Sequence, residues 1–216
     1  NQLLIMPAAT TNYRARSHFD GQNLLENGSI TPYGAQDGWL NRALLHLNDG
    51  DRRLGLAVGS AVPLILRGNT AVRTWSPSNL PTASDDFLAR LGYVYAEDPL
   101  LSVALRQGIK SQASAAGVMS DMPDARRGPR GQAKLLAQAA GRLLAKSDGP
   151  RVAVLEVGGW DTHTNQANRL RNLLRQLAEG LQGFHQAIGP AWQKTVVVVV
   201  SEFGRTVAEN GSRGTD

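Results

Sequence analysis

A chain of 216 residues, 42% apolar and 19% charged, has the length of one large domain and the composition of a globular protein, which excludes disorder over most of its length. Its formal net charge of +5 is carried mostly by arginine; the basic residues are spread along the chain near acids, which excludes the dense basic stripe of a nucleic-acid surface and suits a solvated surface or a small anionic substrate. The absence of cysteine excludes disulfides and thiol chemistry, and no apolar run approaches the ~20 residues of a membrane-crossing helix.

In chain order, residues 3–6 form a short apolar run closed by Pro7, the pattern of a strand edge. A loop through Tyr13 and Arg16 leads to Ser17-His18-Phe19-Asp20, and the spacing predicts a helix over residues 20–27 with Gly28 at its C-cap. Residues 38–48 carry Trp39, Leu40, Ala43, Leu44 and Leu47 at helical spacing, stopped by Asp49-Gly50. Residues 54–58 and 63–66 read as two short strands on either side of Gly59-Ser60.

Residues 69–130 differ in texture. Prolines at 77, 81, 99, 123 and 129 interrupt helical patches over residues 85–91 and 99–115, and Arg126, Arg127 and Arg130 gather in a loop. This stretch is expected to be an irregular, mostly helical insertion or cap that stays off the central sheet.

The last third is more regular. Leu135, Leu136, Ala139, Ala140, Leu143 and Leu144 share one face of a predicted helix over 132–146, stopped by Asp148-Gly149-Pro150. Residues 151–157 read as a strand, and 165–188 as a long amphipathic helix that also carries Arg169, Arg171 and Arg175. Residues 195–200 include five consecutive valines. A segment apolar at every position suits a strand covered on both faces, as in a parallel sheet. Strand, long helix and strand at this spacing make a βαβ unit. The expected fold class is therefore α/β: a mostly parallel central sheet with flanking helices, in a single domain over residues 1–216.

Open parallel sheets bind ligands beyond the carboxyl ends of their strands. After residues 151–157 come Gly158-Gly159-Trp160-Asp161-Thr162-His163, and after 195–200 come Ser201-Glu202-Phe203-Gly204-Arg205-Thr206. A little further on from the first apolar run come Arg16-Ser17-His18-Phe19-Asp20-Gly21. All three ends deliver carboxylates, and two also deliver a histidine. Asp161 and His163 are placed to grip one ion, and a carboxylate with a neutral imidazole suits zinc, manganese or iron. Equally, Asp161, Thr162 or Thr164 would serve as N-cap of the long helix, leaving His163 solvated. Glu202 offers a metal ligand or a general acid–base group, with Arg205 clamping an anionic group; the plainer alternative is a salt bridge between the two.

His18 and Asp20 repeat the alternation of histidine and carboxylate, with helix capping by Ser17 or Asp20 as the alternative. Glu156, an acid near the end of a predicted buried strand, is expected to pair with an arginine, because an unpaired buried charge is costly. His46 and His185 fall on predicted helices and are set aside. No P-loop, dinucleotide fingerprint or Gly-x-Ser-x-Gly elbow is present.

Three blocks, Arg16-Ser-His-Phe-Asp-Gly-Gln22, Gly158-Gly-Trp-Asp-Thr-His-Thr-Asn-Gln166 and Ser201-Glu-Phe-Gly-Arg-Thr206 with the trailing Gly214-Thr215-Asp216, resemble signature blocks of the bacterial family known as domain of unknown function 1501. They occur in the same order, and the likeness covers essentially the whole chain. The resemblance implies an alkaline-phosphatase-like fold, that of phosphatases, sulfatases and cofactor-independent phosphoglycerate mutases. Those relatives hold one or two divalent metals in Asp/His clusters at strand ends. It implies that Asp161 and His163 are a ligand pair and that Glu202 stands where those enzymes place the acid after a late apolar strand. In the family, Gly-Thr-Asp is followed by a histidine, which adds Asp216 to the candidates.

Many members carry a twin-arginine export signal, which implies a periplasmic or exported location. The chain opens on Asn1 and closes at Asp216, and is expected to be a piece of a longer protein and an incomplete domain. The sulfatase Cys-x-Pro-x-Arg element is absent, and Ser17 is the candidate nucleophile. The expected function is metal-dependent hydrolysis of an anionic phosphate or sulfate ester. Asp161, His163, Glu202, Asp216 and Asp20 would be metal ligands, and Ser17, His18 and Arg205 catalytic groups. The alternative is a non-catalytic exported protein that keeps the fold and binds a metal or a partner.

Overall fold

A three-stranded parallel sheet in the order β2-β1-β3 organises the computed structural model, which describes residues 3–6, 9–47, 54–77, 83–119 and 129–215. The central strand, β1 (Gly55–Val58), is buried at every position. It pairs with β2 (Arg73–Trp75) on one side and β3 (Val152–Leu155) on the other, setting Leu56 opposite Arg73 and Ala153. Alternate residues of a strand face opposite sides of a sheet, and β1 follows that rule. Leu56 and Val58 join Trp75 and the α5 residues Leu136, Ala139, Ala140 and Leu143, where α5 is Pro129–Leu144. Ala57 joins Leu44, Leu54 and Leu66 on the opposite face. Full burial of side chains such as Leu56 and Leu66 stabilises the fold by roughly 1.5–3 kcal/mol each.

Two helices precede β1. α1 (His18–Asn27) ends where Gly28, at φ 70, turns the chain and returns its N–H to the Leu24 carbonyl. α2 (Trp39–Leu44) runs into a 3-10 turn at Leu45–Leu47. Polar bonds tie them together and to the sheet. Arg42 Nη2 donates to the Asn27 carbonyl at 2.7 Å, and buried Asn41 Nδ2 donates to the Leu66 and Thr70 carbonyls. Glu26 Oε2 accepts from Ile65 N at 2.9 Å. These bonds fix α1, and therefore His18 at its start, against the connection between β1 and β2.

The remaining described helices are α3 (Asp85–Val94), α4 (Pro99–Met119) and α6 (Gln166–Ile188), followed by a 3-10 turn at Gly189–Lys194. α6 lies along α5, with Gly180 and Gly183 buried and Phe184 packed on the first core cluster. Among the described residues, no helix is long and apolar enough to cross a membrane.

The α/β class and the parallel sheet agree with the sequence, but several elements do not. Residues 3–6 are exposed and belong to no strand. Residues 63–66 were expected as a strand; instead Pro63 caps a 3-10 turn at Leu64–Leu66, closed by Leu66 N donating to the Pro63 carbonyl. β2 falls within residues 69–130, so the sheet draws a strand from the stretch expected to stay off it. The βαβ unit across 151–200 is not formed. The valine run follows α6, but Val196–Val200 are 39–86% exposed and pair with no strand among the described residues. Apolar composition favours burial, yet a strand also requires a neighbouring backbone to hydrogen-bond. Arg126 and Arg127 lie outside the described residues, and Arg130 falls within α5.

Candidate functional site

Three loops meet at the start of α1. Ser17 is the N-cap of that helix, its Oγ accepting from Asp20 N at 3.3 Å, which places His18 in the first helical turn. The imidazole of His18 stands between two carboxylates. Its Nε2 is 3.9 Å from Asp161 Oδ2, and its Nδ1 is 3.6 Å from Glu202 Oε1. Phe203 lies against the ring at 5.4 Å between centroids. His18 Nδ1 is buried and makes no hydrogen bond. His163 completes the group, its Nε2 2.6 Å from Asp161 Oδ1.

The loop carrying Asp161 and His163 leaves β3 and is pinned from two directions. Thr162, between them, is fully buried, and Arg205 Nη2 donates to its Oγ1 at 3.1 Å as well as to the Trp160 carbonyl. The Arg205 guanidinium also sits 5.2 Å from the Phe203 ring centroid. From the other side, Asn210 Nδ2 donates to the His163 carbonyl at 3.0 Å. Gly214 packs so closely on that carbonyl that a Cβ there would collide with it.

The same C-terminal loop caps α6. Asn165 has φ 47 and makes no side-chain cap bond; instead its N–H donates to the Ser212 carbonyl at 3.1 Å, and Gln166 N–H donates to the Arg213 carbonyl at 3.0 Å. Backbone carbonyls thus satisfy donors that a helix start leaves open. The alternative that Asp161, Thr162 or Thr164 caps this helix is not what forms, and Asp161 turns to the two histidines.

Of the residues singled out in the sequence, His18, Asp161, His163 and Glu202 come together. Glu202 arrives on a loop after the unpaired valine run rather than at a strand end. Arg205 reaches the group as a brace on its backbone. Ser17 spends its hydroxyl on the cap. Asp20 belongs to a neighbouring cluster, where Tyr13 Oη donates to its Oδ2 at 2.8 Å and the Tyr33 phenol comes within its influence. Both phenols are pushed above the ordinary tyrosine range, Tyr13 by burial first and Tyr33 by its interaction with Asp20 first. Asp216 lies outside the described residues, although Thr215 Oγ1 donates to Gln166 Oε1 at 2.9 Å just before it. His46 is exposed on its 3-10 turn, and His185 packs edge-on to Trp192, both away from the group.

A cavity of about 420 Å³ opens at the carboxyl ends of β1 and β3, faced by α5 and α6. Glu156 lines it. Burial raises its carboxyl above the usual range, the nearby Glu26 carboxylate adds to the effect, and Arg67 opposes it. The ion pair expected from sequence does not form among the described residues: Arg67 acts on Glu156 only through its charge and gives its Nε to the Val62 carbonyl.

The residues fit a divalent metal by chemistry: two imidazoles with two carboxylates suit zinc, manganese or iron. The buried Nδ1 of His18, facing Glu202 without a hydrogen bond, is the atom that most needs a further partner. Among the described residues, no three His, Asp or Glu groups are gathered into a ready metal cage. The Tyr13–Asp20 bond, the Asn210 brace and the cavity escaped the sequence reading. Only Asn210 had a signal there, because Asn-Gly is a turn dipeptide.

A family model described as a protein of unknown function (DUF1501) matches residues 7–216. No curated protein and no solved structure matches the chain.

Proposed function

The chain belongs to the DUF1501 family, and we propose that it is a metal-dependent hydrolase of a small anionic ester, phosphate or sulfate, on an alkaline-phosphatase-like plan. The observation that carries this reading is the His18 imidazole set between Asp161 and Glu202 with its buried Nδ1 unbonded. Asp161, His163, Glu202 and His18 would hold a zinc, manganese or iron ion, with Asp216, next after Thr215 in the sequence, as a further candidate ligand. Once bound, such an ion polarises an ester oxygen and acidifies water.

The other roles belong to the chain itself. Asp161 orients His163 through the 2.6 Å contact, as carboxylates orient histidines in metal sites. Arg205 fixes the loop between Trp160 and Thr162, and a guanidinium has further N–H groups with which to meet an anionic oxygen. Asp20 holds the start of α1 through Tyr13. A periplasmic or exported place, reached by a twin-arginine signal, belongs to the same reading through the family resemblance.

One observation favours a second reading, a non-catalytic metal-binding or partner-binding protein: the Ser17 hydroxyl is committed to the helix cap. The deciding experiment follows p-nitrophenyl phosphate and p-nitrophenyl sulfate with EDTA-treated protein, before and after zinc, manganese or ferrous ion is restored. Turnover that returns with one metal and is lost in Asp161→Asn supports the hydrolase. Metal binding without turnover of either ester selects the second reading.

A further inference from the structure

The cavity at the ends of β1 and β3 has a chemistry unlike that of the histidine–carboxylate group. Its polar side chains are Ser60, Gln132, Gln176 and Glu156, over an apolar floor that includes Leu136 and Val154. Among the described residues no lysine or arginine lines it, and Arg67, which acts on Glu156 from outside that lining, gives its Nε to the Val62 carbonyl; a phosphate or sulfate placed there would meet the Glu156 carboxyl and none of the described cations directly. At about 420 Å³ it falls within the roughly 300–1,000 Å³ of small-molecule sites.

We infer that this cavity seats a neutral, hydroxyl-rich group of hexose size, the uncharged part of the ester substrate. The inference rests on the reading above only in taking the seated group as part of that substrate. Carboxamides and a serine hydroxyl both donate and accept hydrogen bonds, as vicinal hydroxyls do, so two glutamines and a serine match a sugar edge. The apolar floor suits the C–H face of the ring. The Glu156 carboxyl oxygens add acceptors for the same hydroxyls.

The geometry links seat and cluster. Gly158 lines the cavity, and a Cβ built on it meets no protein atom within 4 Å. Asp161 follows three residues later on the same loop, a stretch that spans at most ~11 Å of chain. A hexose in the cavity would therefore bring an attached phosphate or sulfate towards Asp161 and His163.

The test is an amide-resolved NMR titration of the 216-residue protein with D-glucose, D-galactose and N-acetyl-D-glucosamine, with inorganic phosphate and tetramethylammonium as controls. At least one sugar should give saturable shifts at Ser60, Gly158 and Gln176. The double variant Gln132→Leu/Gln176→Leu should weaken that binding about tenfold or more. Gly158→Val, which places its side chain in open space, should do the same and serves if the double variant does not fold. Silence from all three sugars, or stronger shifts at these amides from phosphate or tetramethylammonium, would overturn the inference. Because the readout is sugar binding and not turnover, a protein that binds sugar but hydrolyses no ester retains the seat and loses the hydrolase.

Discussion

Arg205 and Thr162 stand 43 positions apart and are joined by a 3.1 Å hydrogen bond from Nη2 to Oγ1. Thr162 is fully buried, and the same guanidinium nitrogen also reaches the Trp160 carbonyl, so the backbone on both sides of Asp161 is held by one side chain. Arginine suits this task because the two N–H groups of Nη2 keep fixed directions in the guanidinium plane, one for each acceptor, whereas a lysine ammonium turns on a flexible stem.

Arg205→Lys separates a brace from a bare charge. The variant keeps the positive charge and loses the fixed directions of the two Nη2 N–H groups, so metal affinity is expected to fall about 10–100-fold, as for other groups that orient metal ligands. Calorimetric zinc titration reads this directly. Wild-type affinity in the lysine variant would show that Arg205 acts only by its charge.

Thr162→Val removes the buried hydroxyl while keeping the side-chain shape. Arg205 is exposed and can turn to water, so the loss is one hydrogen bond to a charged group, about 1.5–3 kcal/mol at most. Urea unfolding should show a lower midpoint with an unchanged slope. An unchanged midpoint would mean that Thr162 is held by packing alone.

Asn210 organises the loop that caps α6. Its Oδ1 accepts from Ser212 N at 2.9 Å and Gly214 N at 3.0 Å, while its Nδ2 donates to the His163 carbonyl. Asn210→Ala should lower stability by roughly 1–3 kcal/mol. Gly214→Ala should act in the same direction, because its Cβ would meet the His163 carbonyl. Hydrogen exchange at Asn165 and Gln166, whose N–H groups donate to this loop, should quicken in both variants. Exchange unchanged from wild type would contradict the capping role.

Glu156 gives a pH prediction with a definite sign. Its folded carboxyl lies above the ordinary value of 4.5 because of burial, then Glu26, with Arg67 opposing. A carboxyl raised on folding binds its proton more tightly in the folded state, so its contribution to stability falls as pH climbs from the ordinary value through the raised one. Glu156→Gln should remove that slope and leave the protein at least as stable at neutral pH. Thermal unfolding across the weakly acid range compares the two proteins; a variant that keeps the wild-type slope would assign it to another group.

What the sequence shows and what it hides follow from locality. The helices at 18–27 and 166–188 are legible from periodicity and stop signals within their own span. β1 is legible because a central parallel strand must be apolar on both faces. The same argument misleads at Val196–Val200, where no strand among the described residues supplies the pairing. β2 is missed because Arg73-Thr74-Trp75 is three residues long with one buried side chain, too short to show a period. At the site, Asp161, His163 and Glu202 stand out because they come soon after apolar runs, and His18 because it repeats the alternation of histidine and carboxylate beyond the first one. The roles of Tyr13, Tyr33 and Asn210 depend on approach between distant or irregular segments, which local spacing does not encode.

The most direct test of the central claim is metal content by mass spectrometry of the purified protein and of His18→Ala, prepared side by side. The account predicts a stoichiometric first-row divalent metal in the wild type and its loss in His18→Ala, whose imidazole otherwise sits between Asp161 and Glu202. A metal-free wild type that gains none on zinc, manganese or ferrous titration, with His18→Ala equally stable, would contradict the account.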